Sequence, residues 1–158
     1  APLRDPRFFA DAQLGRLARY LRLLGFDTLY DNDVGDAALV RRANAERRIV
    51  LSRDGRLLMR RAVTHGLHIR RDRPLDQLAQ VVERCDLARS ARPFTRCMDC
   101  NGPLQAVAKA AIQDGLEPLT RAHYDRFWQC TGCGKLYWRG SHYERLVGLV
   151  ADAIGESF

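Results

Sequence analysis

Lysine is almost absent from this chain, although the chain is strongly basic. Only Lys109 and Lys135 occur among 26 lysine and arginine residues, and the net charge is +7. Arginine therefore supplies nearly all the positive charge, and its planar guanidinium suits bidentate contact with phosphate. The excess lies in residues 1–96, where 20 basic residues face 12 acidic ones, while residues 97–158 hold 6 and 7. The first part is predicted to bind a polyanion; a solvated basic face without a ligand is the alternative.

Long apolar runs and a secretion signal are also missing. No stretch approaches the roughly 20 apolar residues that a membrane-spanning helix needs, so no membrane segment is predicted. We expect a cytoplasmic, reducing environment, in which cysteines stay free to bind metal. At 158 residues the chain is long enough for one core and a small appendage.

Four of the five cysteines form two C-x-x-C pairs, Cys97 with Cys100 and Cys130 with Cys133. This pattern predicts a tetrahedral zinc site with four cysteine ligands, and the absence of an open position predicts a structural role. The 29-residue spacer exceeds the usual length of about 15–20, so we expect an additional element between the pairs. A redox pair is a weaker alternative, and Cys85 is expected to be a buried apolar residue rather than a ligand.

Short apolar segments alternate with helical patterns four times in the first part of the chain. The segments are 8–10, 27–30, 49–51 and 67–69. This alternation predicts a parallel, three-layer α/β domain over residues 1–92. Residues 93–158 are predicted to form a small zinc ribbon and a C-terminal helix, which begins with a capping box of Ser141 and Glu144 and packs against the first domain.

Acidic residues follow the predicted strands, at Asp11, Asp36, Asp54 and Asp72. The carboxyl ends of parallel strands meet at one edge of a sheet, so we expect these carboxylates to converge. Mg²⁺ or Mn²⁺ is the natural ion for such a group, with Asp11 and Asp54 as its ligands. Two ions about 4 Å apart would support in-line hydrolysis of a phosphodiester.

Each of these acids also has an ordinary structural interpretation. Asp54 precedes a helical pattern and is a favoured N-cap residue. Asp36 and Asp72 are equally well explained as cap or turn residues, and Asp31 and Asp33 as turn residues.

The predicted contacts to nucleic acid are Arg16, Arg19, Arg22 and Arg53. The first three lie on the polar side of a helix that is predicted to begin near residue 12. Their alternative role is simply to keep the surface of that helix solvated. A second candidate surface is the group of aromatic residues around the second cysteine pair, which forms either the ribbon core or a platform for base stacking. Its members are Phe127, Trp128, Tyr137, Trp138 and Tyr143, and His142 is suited to either role.

Several stretches, taken together, match one known family. They are residues 14–25 (LGRLARYLRLLG), the strand end Ser52-Arg53-Asp54, residues 74–78 (PLDQL), the two cysteine pairs and residues 137–142 (YWRGSH). Over nearly its whole length the chain resembles the RNase domain found at the C-terminus of the Mut-seven exonuclease. Ser52 stands where threonine is commoner in that family, and it keeps the hydroxyl group.

The resemblance implies a PIN-like ribonuclease fold followed by a zinc ribbon, and metal-dependent cleavage of RNA. It implies that Asp11, Asp36 and Asp54 are the acidic site residues, with Asp72 as a fourth. Bacterial members often carry a ubiquitin-like domain upstream, which agrees with the lack of an initial methionine. Two hypotheses follow: a metal-dependent ribonuclease, or a non-catalytic RNA-binding or adaptor module. The presence of all the strand-end acids favours the first.

Overall fold

Four short strands form a parallel sheet in the first part of the chain. The computed structural model describes residues 5–60 and 62–156. The strands are β1 (Phe8–Ala10), β2 (Thr28–Tyr30), β3 (Ile49–Ser52) and β4 (Gly66–His68). They pair in the order β2-β1-β3-β4 and all run parallel. The prediction of a parallel α/β sheet is confirmed, with β4 beginning one residue earlier than expected.

Helices cover both faces of this sheet, because successive strand residues point to opposite sides. The helices are α1 (Gly15–Leu23), α2 (Asp36–Ala45), α3 (Gly55–Leu58) and α4 (Pro74–Cys85). Phe8 and Leu51 belong to a buried cluster with residues of α1 and α4. Phe9 and Val50 belong to a second buried cluster with residues of α2 and α3. The predicted three layers are therefore present.

Glycine and proline mark helix boundaries as the sequence indicated. Gly25 follows α1 with φ of +93°, and a Cβ atom there would lie 2.5 Å from the carbonyl oxygen of Arg92. Only glycine fits both constraints. Pro74 occupies the first turn of α4, where its missing N–H leaves no hydrogen bond unmade. None of the described helices has the length and apolar character needed to cross a membrane.

The second part of the chain contains a three-stranded antiparallel ribbon. Its strands are β5 (Leu104–Val107), β6 (Phe127–Cys130) and β7 (Leu136–Tyr137), in that order. Helices α5 (Lys109–Ile112) and α6 (Pro118–His123) lie between β5 and β6, so the additional element predicted in the long spacer is confirmed.

A final helix, α7 (Ser141–Ile154), packs against α4, as predicted. Tyr143 and Val150 of α7 belong to the same buried cluster as Phe8 of the sheet. The boundary between segments 1–92 and 93–158 stays a prediction. The prediction of a capping box was wrong. Gly140 occupies the cap position of α7, and no side chain caps the helix. The Glu144 carboxylate pairs with Arg139 at 3.4 Å instead.

Candidate active site and metal centre

The carboxyl edge of the parallel sheet has its switch point between β1 and β3. These adjacent strands lead into helices on opposite faces, β1 into α1 and β3 into α3. In open α/β sheets the crevice at such a point is the usual place for a ligand. Asp11 directly follows β1, Ser52 ends β3, and Asp54 lies two residues beyond it.

Ser52 links the two acids at this edge. Its hydroxyl donates a hydrogen bond to Asp11 Oδ2 at 2.5 Å and accepts one from the backbone N–H of Asp54 at 2.9 Å. Asp11 Oδ1 also accepts from the N–H of Gln13 at 3.1 Å. Asp54 Oδ1 accepts from the N–H of Arg56 at 2.9 Å, which confirms the predicted N-cap of α3. Asp11 and Asp54 thus flank one buried hydroxyl at the switch point.

Asp36 and Asp72 occupy different surroundings. Asp36 is the first residue of α2, and its Oδ2 lies 3.7 Å from a guanidinium nitrogen of Arg60. Asp72 is highly exposed and pairs with Arg53 at 2.7 Å. Among the described residues, no three acids bring their oxygen atoms within 4.8 Å of one another. The close group of four carboxylates expected from the sequence is therefore not formed in this structure.

The predicted RNA-contacting arginines differ in their accessibility. Arg16 is exposed on the first turn of α1. Arg19 is about half exposed and pairs with Asp99 at 2.6 Å, while Arg53 pairs with Asp72 as described above.

Arg22 is buried, which corrects its assignment as an RNA contact. Its guanidinium donates to three backbone carbonyls, those of Thr28 (2.9 Å), Met98 (3.0 Å) and Asp99 (3.1 Å). Burial lowers the pKa of Arg22, and the nearby cysteine sulfurs oppose that shift. The side chain joins α1 and β2 to the first cysteine pair, and only 7 % of it is exposed.

Two buried glutamines position the loop that carries Asp72, and the sequence analysis did not identify them. Gln77 Nε2 donates to the carbonyl of Arg71 at 3.0 Å, and Gln80 Nε2 to that of His68 at 2.8 Å. Gln80 Oε1 accepts from the N–H of Arg70 at 3.0 Å. The sequence did contain a signal for them: two glutamines, three residues apart, stand next to the apolar positions of α4.

The four cysteines of the C-x-x-C pairs form one compact cluster. Their sulfur atoms all lie within 4.8 Å of one another, with Cys97 and Cys133 3.7 Å apart and Cys100 and Cys130 3.3 Å apart. Four sulfurs at the zinc–sulfur distance of about 2.3 Å would be separated by about 3.8 Å in a tetrahedron. The cluster therefore suits a structural zinc ion, while Cys85 lies apart from it in α4.

The two cysteine knuckles repeat one backbone arrangement. In the first, the N–H of Asn101 donates to the carbonyl of Cys97 at 3.0 Å; in the second, Gly134 donates to Cys130 at 3.1 Å. Asn101 and Gly134 have φ of +73° and +80°, a conformation that asparagine and glycine adopt most easily. A Cβ atom at Gly102 would lie 2.8 Å from the sulfur of Cys130, so that position needs glycine.

Hydrogen bonds favour a thiolate at Cys130. Burial alone raises the pKa of Cys130, but bonds from the N–H groups of Cys133 and Gly132 and from the Cys100 thiol outweigh it and lower the pKa to about 7. Desolvation raises the pKa of Cys100, and the hydrogen bond that its thiol donates to Cys130 adds to this shift, so that the pKa is about 12. Thiolate is the form that binds metal, and the bonds prepare the cluster for it.

Tyr137 supports the cluster from the ribbon. Burial and its contact with Cys97 raise the pKa of Tyr137, which keeps its hydroxyl protonated. The oxygen accepts from the N–H of Met98 at 3.0 Å and lies 3.1 Å from the sulfur of Cys97, within reach of a hydrogen bond. Such contacts orient metal ligands.

The fold and the sites define a parallel α/β protein with two acidic residues at its switch point and a ribbon that carries a four-cysteine cluster. A family model described as the Mut7-C RNAse domain matches residues 6–150, and the chain belongs to that family. Comparison with curated proteins and with solved structures gave no significant match. Family membership points to a ribonuclease-type function and to RNA as the substrate.

Proposed function

We propose that this protein is a metal-dependent ribonuclease that hydrolyses RNA phosphodiester bonds at the carboxyl edge between β1 and β3. The observation that supports this most is the Ser52 hydroxyl, which contacts the Asp11 carboxylate and the backbone N–H of Asp54 at this edge. Membership of an RNase domain family supplies the reaction class. A basic segment around the site suits a polyanionic substrate.

The two acids suit one Mg²⁺ or Mn²⁺ ion. Proteins commonly bind Mg²⁺ through one or two carboxylates, with water and substrate phosphate completing its shell. Asp11 and Asp54 supply that number of carboxylates, and Asp36 and Asp72 are assigned supporting roles. When bound, the ion supplies an activated water and stabilises the leaving oxygen.

The surrounding residues orient the acids and attract the substrate. Ser52 and Gln13 each donate to one oxygen of Asp11, which fixes the plane of its carboxylate. Asp72 holds the guanidinium of Arg53 by an ion pair of 2.7 Å. Because Arg53 directly precedes Asp54, we assign it to an RNA phosphate close to the reacting bond.

One observation favours the alternative of a non-catalytic RNA-binding or adaptor module. Asp36 and Asp72 are both paired with arginines, and the described residues contain no group of three acids suited to a metal. A binding module needs no such group, so the two functions differ in whether Asp54 is required for cleavage.

The test is cleavage of an end-labelled single-stranded RNA by the purified protein in buffer with Mg²⁺ or Mn²⁺. The reference is the same buffer without both ions. Zinc content is measured in each sample, so that loss of the ribbon metal is not mistaken for loss of the catalytic one. We expect Asp54→Asn to slow cleavage about 100-fold, because electrostatic stabilisation of this kind contributes about 3 kcal/mol.

The matched control is Asp152→Asn, which removes an exposed acid from α7 and should leave the rate unchanged. Undiminished cleavage in a folded Asp54→Asn protein, or in buffer without Mg²⁺ and Mn²⁺, would remove the metal-dependent mechanism. RNA binding without cleavage in wild type would instead establish the adaptor module.

A further inference from the structure

A groove runs between α1, the first cysteine knuckle and the start of α7. It consists of two adjoining hollows of about 180 and 170 Å³. Both hollows are lined by the side chains Arg19, Met98, His142 and Leu146, so they are continuous. Neither the sheet edge nor the zinc cluster accounts for this surface.

The lining of the groove combines an apolar floor with an aromatic wall. Met98 is buried, and Tyr20 and Leu146 are half-buried. Trp138 forms part of the wall and packs over Gly140, where a Cβ atom would lie 2.7 Å from the indole Nε1. The lack of a side chain at Gly140 lets the indole lie close to the backbone, and the Phe127 ring packs against it with centroids 5.9 Å apart. The half-buried indole lines the hollow.

The charged side chains that line the groove are all cationic. Arg16, Arg19, Lys135 and His142 line it, and no acid is among its described lining residues. Asp99 pairs with Arg19 at 2.6 Å and with Lys135 at 2.8 Å, and so it holds these two cations side by side. This concentration is local, since residues 97–158 as a whole contain more acidic than basic residues.

We propose that this groove binds single-stranded RNA, with a base stacked on Trp138 and phosphates held by Arg16, Arg19 and Lys135. An aromatic platform beside a positive groove is the arrangement that single strands need, because their base faces are free. A duplex hides those faces and would lose the contact with Trp138. The inference rests on the proposed function, since it takes RNA as the ligand.

The position of the groove along α1 connects it to the acidic edge. α1 begins four residues after Asp11, and Arg16 lies in its first turn. Arg19 lies three residues further along the helix, which corresponds to a rise of about 4.5 Å along the helix axis. An RNA strand bound in the groove is therefore directed along α1 towards Asp11. In this role the groove leads the substrate to the acidic edge of the sheet.

The first experiment measures binding of a fluorescein-labelled eight-nucleotide RNA by anisotropy, in the Asp54→Asn protein without Mg²⁺ or Mn²⁺. Arg16→Ala with Lys135→Ala removes two exposed groove cations that the proposal assigns to phosphates. We expect about tenfold weaker binding and a smaller dependence on salt, by about one counterion per lost phosphate contact. The control pair Arg84→Ala with Arg89→Ala removes two exposed cations elsewhere and should change affinity much less.

The second experiment separates base stacking from charge. Trp138→Ala should weaken RNA binding about tenfold and leave binding of an inorganic polyphosphate of equal charge unchanged, because polyphosphate has no base to stack. Trp138→Phe keeps an aromatic ring and should retain most of the affinity. Groove and control variants with equal affinities, or equal losses for RNA and polyphosphate, would overturn the groove assignment. Cleavage is assayed separately, so failure of the catalytic proposal leaves these binding results interpretable.

Discussion

Asn101 Nδ2 donates a hydrogen bond of 2.7 Å to Asp27 Oδ1, and this contact joins the first cysteine knuckle to the start of β2. The amide oxygen of Asn101 accepts from the N–H of Thr28 at 2.9 Å, so one side chain makes both bonds. The same Asp27 oxygen accepts from Arg48 at 2.8 Å. The knuckle is therefore attached to the parallel sheet through a specific polar contact as well as through the shared core.

The first prediction concerns acid stability. Burial alone raises the pKa of Asp27. The hydrogen bonds from Arg48 and Asn101 and the positive charges of Arg48 and Arg96 outweigh burial and hold this pKa below its ordinary value. Because the folded pKa lies below the unfolded one, the stabilisation is complete above about pH 4 and is lost as pH falls through the folded pKa. Asp27→Asn should lower the free energy of unfolding at pH 7 and flatten its decline below pH 4.

Urea unfolding at matched pH values gives the measurement, as the difference between wild type and Asp27→Asn. Zinc release in acid affects both proteins and largely cancels in this difference. Asp152→Asn, an exposed acid on α7, should show no such change. An equal acid dependence in wild type and Asp27→Asn would contradict the role of the Asp27 contact.

The second prediction is that about one zinc ion binds per chain and supports folding. Cys97 and Cys130 lie inside the main buried cluster, so loss of the metal would leave repelling or unpaired sulfurs in the core. Structural zinc sites contribute free energy to folding directly. Elemental analysis should find one equivalent, and Cys100→Ser should lower both zinc content and thermal midpoint. A protein that keeps its full thermal midpoint after zinc removal would disprove this.

The third prediction separates two arginines on one helix. Arg22→Met removes the donor to three carbonyls at a buried position and should lower the free energy of unfolding by about 3 kcal/mol. Arg16→Met changes an exposed residue and should leave stability within about 0.5 kcal/mol, but weaken RNA binding at low salt. Urea unfolding and anisotropy on both variants test this. A stable Arg22→Met protein with weakened RNA binding would restore the assignment of Arg22 to the RNA surface.

Most of the fold could be predicted because its signals are local. Residues 49–51 are apolar between charged flanks, and Gly25 and Pro74 mark helix boundaries by their own conformational limits. The zinc cluster was predictable because the C-x-x-C spacing itself sets the ligand geometry. The Ser141 capping box failed because Gly140 can adopt the same cap conformation without any side-chain bond.

The details of the sites could not be predicted, because they depend on distant pairs of residues. Arg22 matches Arg16 and Arg19 in sequence, and only the arrival of the knuckle 76 residues later buries it. Asn101 gave no sign of its partner Asp27, 74 residues away. The pairing of Asp72 with Arg53 likewise depends on β3 and β4 being neighbours.

The fourth prediction tests the link between the two edge acids. Ser52 is fully buried, and its hydroxyl orients Asp11 while accepting from the N–H of Asp54. Ser52→Ala should slow RNA cleavage about tenfold, since a positioning loss of about 1.4 kcal/mol corresponds to that factor. It should also raise the Mg²⁺ concentration needed for half-maximal rate, a change that a purely structural role would not produce. Ser52→Thr keeps the hydroxyl and should restore most of the rate. Equal rates and equal Mg²⁺ dependence in wild type and Ser52→Ala would show that the bond to Asp11 plays no part in the reaction.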